Sequence, residues 1–106
     1  MSVKEWLSQY PTLEARYYRD CTDASNKEEN DQLRKQLDAI HKAINSIDDP
    51  RYREVLTLRY TEGNAGRLMP WRDVAFAMYH NDAEADLMRV HRLHRKALNM
   101  VKLPNG

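Results

Sequence analysis

The strongest constraint on the fold is a single apolar stripe in an otherwise polar stretch of the sequence. Its residues alternate between steps of four and three: Leu33, Leu37, Ile40, Ile44 and Ile47. Residues at this spacing share one side of an α-helix, whereas a half-buried β-strand needs alternation at every second residue. The stretch therefore predicts a long helix with one buried face. That face either packs on another helix of the chain or forms a dimer seam.

A second helical pattern lies near the N-terminus, where apolar residues again recur at steps of three and four. They are Val3, Trp6, Leu7, Tyr10, Leu13, Tyr17 and Cys21. Pro11 lacks a backbone N–H, so we expect this helix to kink or restart near Tyr10. Residues 22–31 (TDASNKEEND) are almost free of apolar side chains and predict a loop. The two N-terminal helices could then pack as an antiparallel hairpin.

Two further helices are predicted from their start signals. Asp48, Asp49 and Pro50 favour a helix start, because aspartate caps the first turn and proline suits its first position. Residues 62–66 (EGNAG) end that helix, with glycines available for left-handed backbone geometry. Pro70 starts a short helix, whose predicted inner face contains Trp71, Val74, Ala75 and Met78. Every predicted element is helical, so the sequence indicates an all-α fold.

The last predicted helix divides between an apolar side and a basic side. Residues 79–82 (YHND) form a turn, in which Asn81 and Glu84 resemble a capping box, and the helix runs from about Ala83 to about Val101. At 100° per residue, one side collects Leu87, Val90, Leu93, Ala97, Leu98, Met100 and Val101. The other side collects Arg89, Arg92, Arg95, Lys96, Asn99 and Lys102. One side must pack on the domain, and the other faces water or a polyanion.

Charge is informative through its distribution and not through its sum. The 106 residues form a chain of domain size with a net charge of only +1, yet no acidic residue follows Asp86. A nearly neutral protein with a basic terminal helix should find its partners at that helix. A single cysteine (Cys21), no apolar membrane span and no signal-peptide core favour a cytoplasmic protein.

The histidines of the last helix do not indicate a metal site. His94 falls among the apolar residues, which favours a core histidine bonded to a backbone carbonyl or a carboxylate, whereas His91 lies at the edge of the basic side. A zinc site needs three or four protein ligands, and Cys21, His41 and His80 are scattered along the chain. The sequence also lacks a glycine-rich phosphate loop and an activated nucleophile. We therefore expect no metal, no cofactor and no enzymatic activity.

The order of a short helix, a turn and a longer basic helix is that of a helix-turn-helix. The segments REVLTLRYTEG, PWRDVAFAMYH and RVHRLHRKAL resemble the region-4 helix-turn-helix of bacterial sigma factors. They are closer still to small phage-encoded relatives of that module, the ArpU-like and RinA-like late transcription regulators. The matching positions are Val55, Leu56, Arg59, Tyr60, Trp71, Val74, Ala75, Met78, Val90, His94, Ala97 and Leu98.

The resemblance implies a C-terminal helix-turn-helix in residues 48–106, preceded by an N-terminal helical pair in residues 1–47 that serves packing or dimerisation. It also implies a framework role for His94. This chain has about five more residues between Val74 and Val90 than that pattern, about one and a half helical turns. Matched from the C-terminal side, the base-reading positions become Leu87, Met88 and Arg92.

Three functions follow as expectations. The first is a phage or prophage transcription regulator that binds double-stranded DNA. Its expected DNA-contacting residues are Arg72, Arg89, His91, Arg92, Arg95, Lys96 and Lys102. The second is a protein-interaction module of the same fold that docks on RNA polymerase or another regulator. The third is a small DNA-recognition subunit of a phage packaging machine.

Overall fold

The computed structural model of the chain describes residues 1–20, 27–64 and 66–103. All regular elements in these ranges are helical, which confirms the predicted all-α class. They are α1 (Val3–Ser8), α2 (Tyr10–Asp20), α3 (Lys27–Asn45), α4 (Pro50–Leu56), a π-helical turn called here the π segment (Thr57–Thr61), α5 (Trp71–Tyr79) and α6 (Glu84–Leu98). None of the helices in the described ranges has the length and apolar content needed to cross a membrane.

The N-terminal helix restarts where the sequence predicts. α1 begins with a capping box that the sequence analysis missed: the Glu5 backbone N–H donates to Ser2 Oγ at 3.1 Å, and the Ser2 N–H donates to Glu5 Oε2 at 3.4 Å. α1 ends at Ser8 and α2 begins at Tyr10, so Pro11 occupies the second position of α2. Proline is tolerated there because the first-turn N–H groups have no partner within the helix.

The apolar stripe lies on α3 and just beyond its end. All five of its residues are buried, and α3 packs against α2. Use of the stripe as a dimer seam would require these side chains to leave the core of their own chain. The predicted loop is too long, because residues 27–31 belong to α3. Glu28 and Glu29 in its first turn favour the helix dipole, and Glu29 also pairs with Arg16 of α2 at 2.9 Å. Cys21 and residues 22–26 lie outside the described ranges.

α4 begins as predicted and continues into the π segment. Asp49 caps α4, since its Oδ1 accepts the Arg51 backbone N–H at 2.9 Å, and Pro50 is the first helical residue. The loop that follows is tied back to Arg59, whose carbonyl accepts the Met69 N–H at 3.1 Å. Gly66 has the predicted left-handed backbone (φ 73°). Gly63 is needed for another reason, because a Cβ there would lie 1.9 Å from the Arg67 carbonyl oxygen.

α5 and α6 are joined by a four-residue turn, His80 to Ala83. His80 adopts a left-handed backbone (φ 58°), and its N–H donates to the Phe76 carbonyl at 2.8 Å. The predicted capping box is wrong. Asn81 Oδ1 accepts the Ala83 N–H at 3.1 Å, so the asparagine stabilises the turn, and α6 starts at Glu84 without a side-chain cap.

α6 is the helix on which the C-terminal core is built, and it packs against both α4 and α5. Val90, His94 and Ala97 on its inner face are buried. The helix ends at Leu98, earlier than the predicted end near Val101. Met100 therefore does not follow the helical rotation, and its side chain is 51% exposed instead of lying on the apolar side as predicted. The predicted tail, residues 104–106, lies outside the described ranges.

Candidate nucleic-acid interface

The outer face of α6 is the most basic surface that the sequence predicts, and the structure exposes it. Arg89, Arg92, Arg95 and Lys96 are all exposed, and they lie on the side of α6 away from the buried Val90, His94 and Ala97. Lys102 is exposed beyond the end of the helix, and Arg72 is exposed at the second position of α5. Such a surface can bind a polyanion, because no cation on it is buried in the core.

Only part of the predicted base-reading set reaches this surface. Leu87 is packed against the core, so its assignment as a base-reading position is wrong. Helical rotation places Leu87 on the inner side of α6, whereas the next residue, Met88, lies on the outer face. Met88 is 51% exposed and Arg92 is exposed, so both are available to a partner. Ala85, one turn before Met88, is also exposed.

The first turn of α6 adds negative charge beside this surface. Glu84 is exposed, and Asp86 Oδ1 lies 3.5 Å from Arg89 Nη1, with the Asp86 side chain mostly buried. Acids in a first turn stabilise the positive end of the helix dipole. The Asp86 carboxylate also orients the Arg89 guanidinium, which lies 4.3 Å from the Tyr79 ring centroid. Arg89 is thus positioned by two partners, and the negative charge of Asp86 offsets part of its positive charge.

A groove of about 220 Å³ between α4 and α6 gathers cations that are distant in sequence. Its lining includes Arg51, Tyr52, Tyr79, Arg89, Arg92 and Lys96. Three of the predicted contact residues therefore come together here, whereas Arg72, His91, Arg95 and Lys102 do not line the groove. The sequence analysis missed Arg51, Tyr52 and Tyr79, because no local pattern relates α4 to the outer face of α6.

The predicted contact residue His91 lies at the edge of the outer face of α6. Its ring is exposed, and its centroid is 4.6 Å from that of Trp71. The Trp71 ring also contacts Arg59, whose guanidinium carbon lies 4.2 Å from the ring centroid. Arg59 Nη1 donates to the Met69 carbonyl at 2.6 Å, and burial lowers the pKa of Arg59. The cluster packs α5 against α6, and His91 remains exposed at its edge.

His94 supports α6 from below and is buried, as the sequence predicts. Its partner is neither a carbonyl nor a carboxylate, because its Nε2 lies 2.6 Å from the hydroxyl of Tyr60 in the π segment. Burial, with the nearby Arg59 charge, lowers the pKa of His94 to about 4, and burial raises the pKa of Tyr60 to about 12. Both side chains are therefore neutral at pH 7, which suits a framework role.

The described residues offer no cluster of three or more histidine, cysteine, aspartate or glutamate side chains able to hold a metal ion. What the arrangement offers is a rigidly supported helix with cations on its outer face. Comparison with protein-family profiles, with curated proteins and with solved structures found no match to this chain.

Proposed function

We propose that this protein is a DNA-binding transcription regulator of phage or prophage type. In this proposal α5 and α6 form the helix-turn-helix of a sigma region-4-like module, and the N-terminal helices form a hairpin beside it. The observation that carries the proposal is the outer face of α6, where Arg89, Arg92, Arg95 and Lys96 are exposed while the opposite face is buried. A helix of this kind enters the major groove of DNA.

The turn between α5 and α6 supports the same interpretation. The left-handed residue His80 ends α5, and α6 begins at Glu84 and packs against α5. The surrounding contacts of Trp71 and Tyr60 hold α6 on the domain from its inner side. The outer side can therefore dock without any rearrangement of the core, which lowers the ordering cost of binding.

Met88 and Arg92 suggest how such a helix would read a sequence. Arginine binds guanine through two hydrogen bonds in the major groove, and an apolar side chain can contact the thymine methyl group. Both residues are exposed on the same outer face. The remaining cations, which include Arg72 on α5, would contact phosphates and fix the position of the helix.

The test is a fluorescence-anisotropy titration of the protein with random-sequence duplex DNA at several salt concentrations. Four phosphate contacts, from Arg72, Arg89, Arg95 and Lys96, predict that affinity falls about 100-fold between 50 and 200 mM salt. We expect the double variant Arg92→Ala/Arg95→Ala to lose at least about tenfold in affinity. The matched control is Arg34→Ala/Lys35→Ala, which removes two exposed cations from α3 and should leave affinity within about twofold. Absence of binding by the unaltered protein at 50 mM salt would refute the proposal.

The alternative is a protein-interaction module of the same fold that docks on RNA polymerase. Exposed Met88 and the acids Glu84 and Asp86 favour it, because they make the start of α6 a poor partner for phosphate. A pull-down of purified polymerase separates the two functions. Retention of polymerase by the Arg92→Ala/Arg95→Ala variant, together with absent DNA binding, would support this alternative.

A further inference from the structure

The groove between α4 and α6 combines four cations from two helices that are far apart in the sequence. Arg51 comes from the first turn of α4, whereas Arg89, Arg92 and Lys96 come from successive turns of α6. Arg89 and Lys96 are two turns apart, and Arg92 lies between them. This groove of about 220 Å³ has space for a tetrahedral anion and its surrounding water.

Two of the four guanidinium and ammonium groups are held in place before any ligand arrives. Arg89 lies over the Tyr79 ring at 4.3 Å and pairs with Asp86 at 3.5 Å. Arg51 lies 5.9 Å from the Tyr52 ring centroid, and its Nη2 is 3.0 Å from Asp49 Oδ2. Each arginine is therefore flanked by one tyrosine ring and one carboxylate. A guanidinium fixed in this way loses less side-chain freedom when it binds an anion.

The charge balance of the groove favours an anion. Asp49 and Asp86 offset two of the four positive charges, and Arg92 and Lys96 form no ion pair with the described residues. Arg51 is 70% exposed despite its pairing with Asp49, so its remaining N–H groups are open to solvent. Arginine pairs with phosphate through parallel hydrogen bonds, and lysine contributes a compact charge.

We propose that this groove binds a backbone phosphate of DNA, and that Arg51 contacts it together with Lys96. The proposal rests on the DNA-binding function proposed above and adds α4 to the interface. A phosphate here would lie on the flank of α6, while Met88 and Arg92 face outward. The contact would fix the angle at which α6 enters the major groove of DNA, because it joins α6 and α4 to the same DNA strand.

The first experiment measures the salt dependence of DNA binding by Arg51→Ala. We expect its affinity to fall about tenfold at 100 mM salt and the slope of log K against log salt to decrease in magnitude by about 1. The matched control is Arg34→Ala on α3, which also removes a 70% exposed arginine paired with an aspartate. Its slope and affinity should equal those of the unaltered protein. An unchanged slope in Arg51→Ala would overturn the proposal.

A second variant tests the competing carboxylate. Asp49→Asn keeps a good cap on α4, because asparagine and aspartate cap helices about equally well, but it removes the negative charge beside Arg51. We expect affinity for DNA to rise about threefold at low salt, and this gain should vanish when Arg51→Ala is added. A gain that persists in the double variant would mean that Arg51 does not contact the phosphate.

Inorganic phosphate distinguishes failure of this inference from failure of the DNA-binding proposal. If DNA binds and the Arg92→Ala/Arg95→Ala variant loses it while Arg51→Ala does not, the function stands and the groove assignment is wrong. If the protein binds no DNA, NMR titration with inorganic phosphate follows. Shifts at Lys96 that vanish in Arg51→Ala would then identify a free-phosphate site, which overturns the assignment to DNA.

Discussion

Two tyrosine–histidine pairs lie in the two parts of the chain, and their surroundings differ. In the N-terminal part, the Tyr10 hydroxyl lies 2.6 Å from His41 Nε2, between α2 and α3. In the C-terminal part, the Tyr60 hydroxyl lies 2.6 Å from His94 Nε2, between the π segment and α6. The first pair is partly buried, whereas the second is buried beneath the proposed DNA-binding helix.

The difference in burial gives the two tyrosine–histidine pairs different physical roles. His94 is only 7% exposed, so any loss of its partner leaves a polar atom without water. His41 is partly exposed, so water can replace the tyrosine hydroxyl there. In the N-terminal pair, burial and the charge of Glu14 raise the pKa of Tyr10, which keeps the phenol protonated. Hydrogen-bond geometry alone therefore does not rank the two pairs; access to water does.

The largest expected effect comes from removal of a single tyrosine hydroxyl. Tyr60→Phe should reduce the free energy of unfolding by about 2 kcal/mol, because it leaves His94 Nε2 unpaired in the core. Tyr10→Phe should cost less than about 1 kcal/mol, because the exposed edge of His41 can bind water. Urea denaturation followed by circular dichroism measures both. Equal losses in the two variants would contradict the comparison.

Within the C-terminal pair, titration of His94 should make the stability of the fold depend on pH. The pKa of His94 is lowered to about 4 from an unperturbed value near 6.5, first by burial and then by the Arg59 charge. Between these two values the unfolded chain binds a proton that the folded chain excludes, so stability is complete above pH 6.5 and declines as the pH falls towards 4. We expect a loss of about 1.5 kcal/mol between pH 7 and 5.

Two matched variants test the source of this pH dependence. His94→Gln keeps an acceptor for the Tyr60 hydroxyl but does not titrate, so its free energy of unfolding should vary less between pH 7 and 5. His41→Gln, which replaces the histidine of the Tyr10–His41 pair, is the matched control. The same pH dependence in His94→Gln as in the unaltered protein would exclude His94 as its source.

The comparison also explains which features the sequence could predict. The stripe on α3, the restart at Pro11 and the start of α4 after Asp49 depend on neighbours within a few residues, and the structure confirms all three. Burial of His94 follows from the same helical spacing. Its partner could not be predicted, because Tyr60 is 34 residues away and the Tyr10–His41 pair spans 31 residues. Side-chain pairing across elements depends on their packing, which periodicity does not determine.

Errors in the candidate site have similar causes. The resemblance to sigma region 4 predicts base reading by Leu87, but the rotation of α6 turns this side chain inward. Arg51 was missed because only the packing of α4 on α6 brings it near Arg92. The capping box at Asn81 failed through local competition, since the side chain bonded within the turn instead. Basic residues on one helix can thus be predicted from sequence, whereas a groove between helices cannot.

The smallest expected effect concerns two surface ion pairs, one in each part of the chain. Glu29→Gln breaks the contact with Arg16 that joins α3 to α2, and Asp86→Asn breaks the contact with Arg89 on α6. Glu29→Gln should reduce the free energy of unfolding in urea by no more than about 0.5 kcal/mol. The side chains of Glu29 and Arg16 are both about half exposed, so solvent screens their attraction. Asp86→Asn should cost a similarly small amount, through the lost first-turn charge.

DNA affinity should separate the two variants. Removal of the Asp86 charge should raise the affinity about twofold to threefold at low salt, whereas Glu29→Gln should leave it unchanged. Equal affinities of the two variants would show that the Asp86 charge does not weaken DNA binding.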